Sequence, residues 1–584
     1  MADSGASVIP DSIFAAGKAE EAVTAVLQHL GVAEEPVDFV TPGLFARSAA
    51  KAVGGSMRHP FALAGATARL VVGTLAASTA AMSRALGSPV PGPIAPQPGD
   101  RRFTARAWTD NAGYFMLQQL YLLQRKYVDD LISAASLSAA DDQKARFALG
   151  FLADALAPTN TLVGNPVALQ RAFETGGTSL ARGARNFAHD LRHNGGWPSQ
   201  VDASGFEVGR NMAVTPGKVI YRSDLIEVIQ YEPQTPKVYA VPLLFCPPWI
   251  NKYYIMDLAP GRSLIDWAVK NGHTCFAISY RNPSVREHDL SLDEYLENGP
   301  LDAIRVVRGA ADSPQVNLLS VCLGGTLSAM AMAHLAQQGD DSVLSATFIN
   351  VHTDFSEPGI LGAFVDEGTV RGLERRMARK GYLEAREMSR TFDAIRANDL
   401  IFQYVVNNWL LGESPPAFDL LAWNDDSTRM PAKMHSRYLR SCYLRNEFAR
   451  GEFVFDGEKL DPLAVKQDAY VIGALDDHIV PWTSAYRTTQ LLGGKNRFVL
   501  AGGGHIAGIV SPPHPKAKHW AADAVASEPQ EWFEQAELKQ ATWWQDWATW
   551  MTRRSGRKVA APSGFGGGVY EVLDDAPGQF VIRS

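Results

Sequence analysis

Apolar positions recur at two different periods along this chain of 584 residues. Between Phe103 and about Leu191 the spacing is helical, with Leu117, Leu120, Tyr121, Val128, Leu131 and Ile132 on one face. Within this stretch Asn165-Pro166 predicts a helix start, with Val167 to Phe173 following. At about Phe206 the pattern changes. Val219 to Tyr231 and Val238 to Phe245 are rich in β-branched and aromatic residues and predict strands. Strand and helix then alternate: Thr274 to Tyr280 strand, Leu292 to Arg308 helix, Val316 to Val321 strand, Thr326 to Leu335 helix, Val343 to Val351 strand. Continuous apolar strands alternating with helices predict an α/β fold, a mostly parallel sheet covered on both faces.

The alternation stops at His352 and resumes near Val465, with helical pieces such as Ile395 to Leu411 and Trp423 to Phe448 in between. We expect a cap inserted into the sheet over about 352–465. Beyond it come strand Asp468 to Ala474, helix Trp482 to Leu492 and strand Arg497 to Leu500. Residues 1–100 are Ala-rich, read as loosely attached helices, and end in the Pro/Gly linker Gly87 to Gly99. The expected organisation is therefore 1–100 as an N-terminal segment, 101–205 as a helical domain and 206–584 as the catalytic domain with its cap. Trp532, Trp543, Trp544, Trp547 and Trp550 crowd the tail, and an aromatic helix of this kind is expected to be core or interface.

Composition adds exclusions. A hydrophobic content of 46% with 20% charged residues is that of an ordinary soluble protein, and a net charge of −7 gives no basis for nucleic-acid binding. Cys246, Cys275, Cys322 and Cys442 lie far apart without a C-x-x-C pair, so neither a metal site nor a disulfide framework is expected, and a reducing cytoplasm suits them. No secretory signal is expected at the start of the chain. Leu63 to Met82 is the most membrane-like segment. Arg69, Gly73 and several hydroxyl residues dilute it, so we expect a packed or surface-seeking helix and no transmembrane span.

Candidate chemistry sits where the strand from Val316 meets the helix from Thr326. Ser320-x-Cys322-x-Gly324 has the form of a nucleophile elbow, with Cys in place of the usual Ser and Ser320 in place of the first Gly. Small flanking residues suit it because the nucleophile occupies a tight, strained turn. A lone Cys in an apolar stretch is commonly just a small buried hydrophobe, but partners follow in the order this fold uses. Leu475-Asp476-Asp477-His478 follows a late strand, and Gly502-Gly503-Gly504-His505 follows the next. His505 is the expected base and Asp476 or Asp477 the orienting acid, with His478 a candidate neighbour. Oxyanion donors are expected from the Leu323 N–H and from the loop Cys246-Pro-Pro-Trp-Ile-Asn251. There the prolines cannot donate, which leaves Trp249 or Ile250, with Ile250 preferred. A thiolate exchanges readily with a thioester, so a Cys elbow points toward a thioester acyl donor.

Further motifs complete the picture: Asn165-Pro-Val-Ala-Leu with Glu174-Thr-Gly-Gly177, Phe206 through Lys218, Pro247-Pro-Trp-Ile-Asn-Lys-Tyr-Tyr254, Ser279-Tyr-Arg-Asn-Pro283, Asp354 through Gly359, Asp477-His-Ile-Val-Pro-Trp482 and Gly504-His-Ile-Ala-Gly508. On these the chain, from about Phe103 onward, resembles the polyhydroxyalkanoate synthases of the α/β-hydrolase superfamily. The resemblance implies polymerisation of (R)-3-hydroxyacyl-CoA, with the chain's length and its ending Ala576 to Val581 similar to the class that prefers 3-hydroxybutyryl-CoA. It implies Cys322 as carrier of the acyl chain, His505 as its activator, and Asp477 as the acid that orients His505 or helps activate the substrate hydroxyl. Ser320 stands where the family usually has glycine. The resemblance further implies a cytoplasmic homodimer at the surface of polyester granules, a cap that excludes water and takes part in dimerisation, and no cofactor, CoA being part of the substrate and a product. Two rivals are a thioesterase or polyester depolymerase of the same fold, which would release free hydroxy acid, and a non-catalytic granule-binding protein, which would survive loss of Cys322.

Overall fold

The computed structural model describes residues 42–362 and 364–582, so the expectation for residues 1–41 lies outside the described residues. The chain forms two compact units. The first runs to Asp202 and includes Arg390–Pro416; the second comprises Ala203–Ser389 and the chain from Ala417. Residues 390–416, within the stretch expected to be one inserted cap, thus belong to the helical unit.

The first unit is built from helices, chiefly Pro42–Met57, Pro60–Ala85, Ala112–Ala134, Ala139–Ala155, Pro166–Glu174 and Thr178–His193. Their starts are chemically marked. Asn165 accepts from the Val167 and Ala168 N–H groups, with Pro166 at the first helical position, and Asn111 does the same for Gly113 and Tyr114. Of the face predicted on Ala112–Ala134, Tyr121 and Ile132 are buried, while Leu117, Leu120, Val128 and Leu131 are half-buried. Leu122 and Leu123 are buried as well, Leu122 in a cluster with Phe103, Trp108 and Ala157 and Leu123 against Gly73 of Pro60–Ala85. A Cβ on Gly73 would stand 2.6 Å from Leu123 Cδ2, so a side chain there would require the Leu123 methyls to shift. Pro60–Ala85 turns Ala66, Gly73, Ala77, Ala80 and Ala81 inward. It leaves Phe61, Val71, Val72, Leu75 and Met82 exposed. Among the described residues it is the one helix long and apolar enough, by length and composition, to cross a bilayer.

The second unit is organised on an eleven-stranded sheet. In chain order its strands are β1 Gly217–Arg222, β2 Ile226–Tyr231, β3 Leu243–Cys246, β4 Cys275–Tyr280, β5 Val316–Val321, β6 Val343–Ile349, β7 Asp468–Ala474, β8 Asn496–Ala501, β9 His519–Ala521, β10 Glu537–Lys539 and β11 Asp574–Asp575. They lie in the order β10-β9-β8-β7-β6-β5-β3-β4-β2-β1-β11. The central run from β8 to β4 is parallel and the flanking strands are antiparallel. This is the expected α/β-hydrolase arrangement. Every residue of β5 is buried, which is why its sequence is predominantly apolar and shows no regular alternation, with only Asn317 and Ser320 polar.

Three predicted elements are broken in the structure. Val219 to Tyr231 is a hairpin, turning at Ser223, whose hydroxyl accepts from the Leu225 and Ile226 N–H groups. Val238 to Phe245 splits near Pro242, its first part pairing with Lys558–Ala560 in a separate ribbon. The predicted helix from Leu292 to Arg308 contains a π-helical turn over Glu297–Leu301 that accommodates Pro300. The Trp-rich helix Trp543–Thr552 is core. Trp543 Nε1 donates to Gly508 O at 2.7 Å and Trp547 Nε1 to Thr347 Oγ1 at 2.8 Å, so it braces both β6 and the turn after His505.

Candidate active site

Cys322 follows β5 and precedes the helix Leu323–Gln337, with φ 49° and ψ −127°. A positive φ is costly for a residue with a side chain, and such strain persists only where the surroundings enforce it. The enforcing contacts are visible. The Cys322 N–H donates to Ile349 O at 2.9 Å, and its carbonyl accepts from Gly325 N at 2.9 Å. A Cβ on Gly324 would stand 2.4 Å from both the Cys246 and Pro247 carbonyl oxygens, and one on Gly325 would stand 2.3 Å from Val351 Cγ2. The helix therefore starts in direct backbone contact with the loop after β3. Ser320, opposite Cys246 in the strand register, is fully buried, and its hydroxyl bonds to Ser328 Oγ at 2.8 Å. That hydrogen bond satisfies the polar atom that replaces the usual glycine.

His505 and Asp477 come together from the loops after β8 and β7. His505 Nδ1 and Asp477 Oδ2 are 2.6 Å apart. Asp477 Oδ1 accepts from the Ile479 and Val480 N–H groups at 2.8 and 2.9 Å. Burial alone raises a carboxyl, but His505 and these N–H groups hold Asp477 below its ordinary value. Burial likewise opposes protonation of His505; the Asp477 charge, the neighbouring Cys322 sulfur and hydrogen bonds to both outweigh it and push the imidazole up to about 10. With Nδ1 committed to Asp477, Nε2 is the nitrogen left for the Cys322 thiol. Asp476, the competing acid, is exposed. His478 lies half-buried on the same loop.

The loop after β3 carries Ile250 half-buried against the core that also holds Cys322. Leu323 is the first residue of its helix, and an N–H in a helical first turn has no acceptor within the helix. Leu323 and Ile250 therefore belong to the two elements that meet at Gly324.

Sequence reasoning missed several neighbours. Asn350, at φ 52° directly after β6, donates from Nδ2 to the His505 carbonyl at 2.7 Å and so fixes the histidine turn. Asn is a residue type that tolerates this conformation, but nothing in its sequence context marks the role. His352 is buried, packs tilted against Phe355 at 5.0 Å, and burial lowers its pKa to about 4, so it is neutral beside the His505–Asp477 pair. Tyr438, buried, and Tyr443, half-buried, lie within electrostatic reach of Cys322, their rings 5.6 Å apart. Trp249 packs edge-on against Tyr438 at 5.4 Å. A thiol, an imidazole and a carboxylate in series, walled by aromatic side chains, can perform nucleophilic acyl transfer.

Comparison with known proteins points to one family. Residues 99–268 match the family model for the poly-beta-hydroxybutyrate polymerase (PhaC) N-terminus, and residues 242–512 match that of the alpha/beta hydrolase fold. The poly(3-hydroxyalkanoate) polymerase subunit PhaC of Cupriavidus necator is 41% identical over 82% of this chain and 83% of its own length. The poly(3-hydroxyalkanoate) polymerase of Methylorubrum extorquens is 40% identical over 86% of this chain and 83% of its own. Poly(3-hydroxyalkanoate) polymerase 1 of Ectopseudomonas oleovorans is 39% identical over 84% and 87%.

Proposed function

The chain belongs to the poly(3-hydroxyalkanoate) polymerase family, and from that premise we propose that it extends polyester through a thioester on Cys322, using (R)-3-hydroxyacyl-CoA as donor. The observation that carries the proposal is the series Cys322, His505, Asp477. An imidazolium held beside a sulfur favours the thiolate, the form that attacks a thioester carbonyl. Attack forms the Cys322 C–S bond and an oxyanion, for which the Leu323 and Ile250 N–H groups are the donors. Collapse breaks the bond to CoA, whose sulfur takes the proton from His505 Nε2. His505, now neutral, accepts the proton of the 3-hydroxyl of the next unit as that oxygen attacks the acyl-enzyme. An ester forms and Cys322 is released. Both oxygens of Asp477 are occupied by His505, Ile479 and Val480, which supports orientation of His505 over direct action on the hydroxyl.

No cofactor takes part in this scheme, and CoA enters with the substrate and leaves as product. The aromatic wall of Trp249, Phe355, Tyr438 and Tyr443 suits it by excluding water, which would otherwise hydrolyse the acyl-enzyme. Granule association fits the exposed Phe61, Val71, Val72, Leu75 and Met82 on Pro60–Ala85. Cytoplasmic location and a homodimer complete the reading. The test is CoA release from (R)-3-hydroxybutyryl-CoA with product sizing. Wild type should yield polymer and Cys322→Ala none; free hydroxy acid alone would make the protein a thioesterase.

A further inference from the structure

The orientation of the loop donor is set from outside the sheet. Thr428, itself buried, donates its hydroxyl to the Trp249 carbonyl at 3.1 Å and accepts from the Asn251 N–H at 3.0 Å. These two groups belong to the peptide planes on either side of Ile250. The Trp249 carbonyl and the Ile250 N–H share one planar trans peptide, so they point in opposite directions. A grip on that carbonyl therefore aims the Ile250 N–H away from Thr428. The second bond fixes the next peptide at Asn251, which sits at φ 64°. One hydroxyl thus spends its donor and an acceptor site on defining both dihedral neighbours of Ile250.

The segment that carries Thr428 is fastened on one side to the same loop and on the other to the loop after β4. Trp423 Nε1 donates to the Lys252 carbonyl at 2.8 Å. Lys252 Nζ reaches Asp426 Oδ1 at 2.7 Å, and the Tyr254 hydroxyl donates to Asp426 Oδ2 at 2.8 Å. The Arg429 N–H donates to Asn282 Oδ1 at 2.9 Å, on the loop after β4.

We infer that Thr428 is a positioning residue for the oxyanion donor, holding the Trp249–Ile250 peptide so that the Ile250 N–H faces the reacting carbonyl. The inference rests on the acyl-transfer reading of Cys322. It makes the inserted segment 423–429 part of the catalytic geometry: the loop donor is aligned only while that segment is seated on the loop.

The test compares Thr428→Val, which keeps the shape and removes the hydroxyl, with Thr428→Ser, which keeps the hydroxyl. Two readouts are taken: CoA release from (R)-3-hydroxybutyryl-CoA, and alkylation of Cys322 by iodoacetamide. Alkylation needs the nucleophile but forms no oxyanion. Thr428→Val should lower kcat on the order of 10²-fold with KM nearly unchanged, the size expected for loss of one oxyanion donor. Its alkylation rate should stay at the wild-type value, and Thr428→Ser should restore kcat to within about threefold. Thr428→Val retaining wild-type kcat overturns the inference. So does a parallel loss of turnover and alkylation, which would mark Thr428 as merely structural. A Cys322→Ala enzyme that still releases CoA would instead overturn the acyl-transfer reading on which the inference stands.

Discussion

His505 Nδ1 lies 2.6 Å from Asp477 Oδ2, with the imidazole 5% and the carboxylate 0% exposed. Removing one member of such a buried pair strands the other, at a cost of roughly 3–5 kcal/mol. Because the folded pKa of His505 is raised to about 10 from an ordinary 6.5, its contribution to stability is complete below pH 6.5 and is lost as pH rises through 10. The stability deficit of Asp477→Asn against wild type should therefore shrink between pH 6.5 and pH 10. Urea unfolding across that range measures it, and a flat difference would contradict the pairing.

Gly324 should tolerate no side chain. The atoms a Cβ would meet at 2.4 Å are the backbone oxygens of Cys246 and Pro247, which cannot rotate away. Gly324→Ala should destabilise by about 1–3 kcal/mol and also lose CoA release, because relief requires moving the loop that carries Ile250. Gly372 is the control: it lies within the helix Glu367–Lys380 with open space at its Cβ position. Gly372→Ala should raise stability by about 0.4–1 kcal/mol without affecting turnover. Thermal melts alongside CoA release distinguish the two.

Ser320 bonds to Ser328 beneath the elbow. Ser320→Gly should restore the usual elbow residue yet cost about 1–3 kcal/mol, since Ser328 loses its buried partner. Adding Ser328→Ala should recover part of the loss, and CoA release should persist in both variants. A double-mutant cycle in urea reads the coupling, and additive effects would show that the two hydroxyls do not interact.

Acid should weaken the fold before it protonates carboxylates of ordinary pKa, although burial raises Asp257 to about 6. Burial lowers His273, His352 and His435 to about 4 each. Such groups contribute stability above pH 6.5 and lose it as pH falls toward 4, at up to about 1.4 kcal/mol per pH unit each. His273, packed between Tyr239 and Trp547, has no hydrogen-bond partner at either ring nitrogen. His273→Phe should flatten the stability profile between pH 6.5 and 4, as followed by denaturant unfolding. An unchanged slope would show that His273 takes up its proton without penalty.

The exposed face of Pro60–Ala85 offers a test of granule association. Val72→Gln with Leu75→Gln removes two exposed apolar side chains, each able to contribute about 1.5–3 kcal/mol when buried. Sedimentation with polyester particles should fall at least about tenfold while CoA release from soluble substrate is unchanged. Equal sedimentation would place the contact surface elsewhere.

Much of this organisation is local and was written in the sequence. Predominantly apolar runs marked β4, β5, β6, β7 and β8, because a strand buried on both faces admits few polar residues, and those only with partners such as Ser328 for Ser320. Cys322, Asp477 and His505 each stand directly after such a run, so their order was readable without coordinates. The Asn165-Pro166 start was equally local, a cap and a fixed φ within two residues. What only the tertiary structure decided involves partners far apart in the chain. It chose Asp477 over Asp476 by burying the one beside His505 and exposing the other. It assigned 390–416 to the helical unit, and it recruited Asn350 to the His505 turn across 155 positions. It set the peptide of Ile250 through Thr428, 179 positions beyond Trp249. A hydrogen bond between such distant residues leaves no periodicity and no spacing in the sequence. It exists only once packing has closed the loops between them.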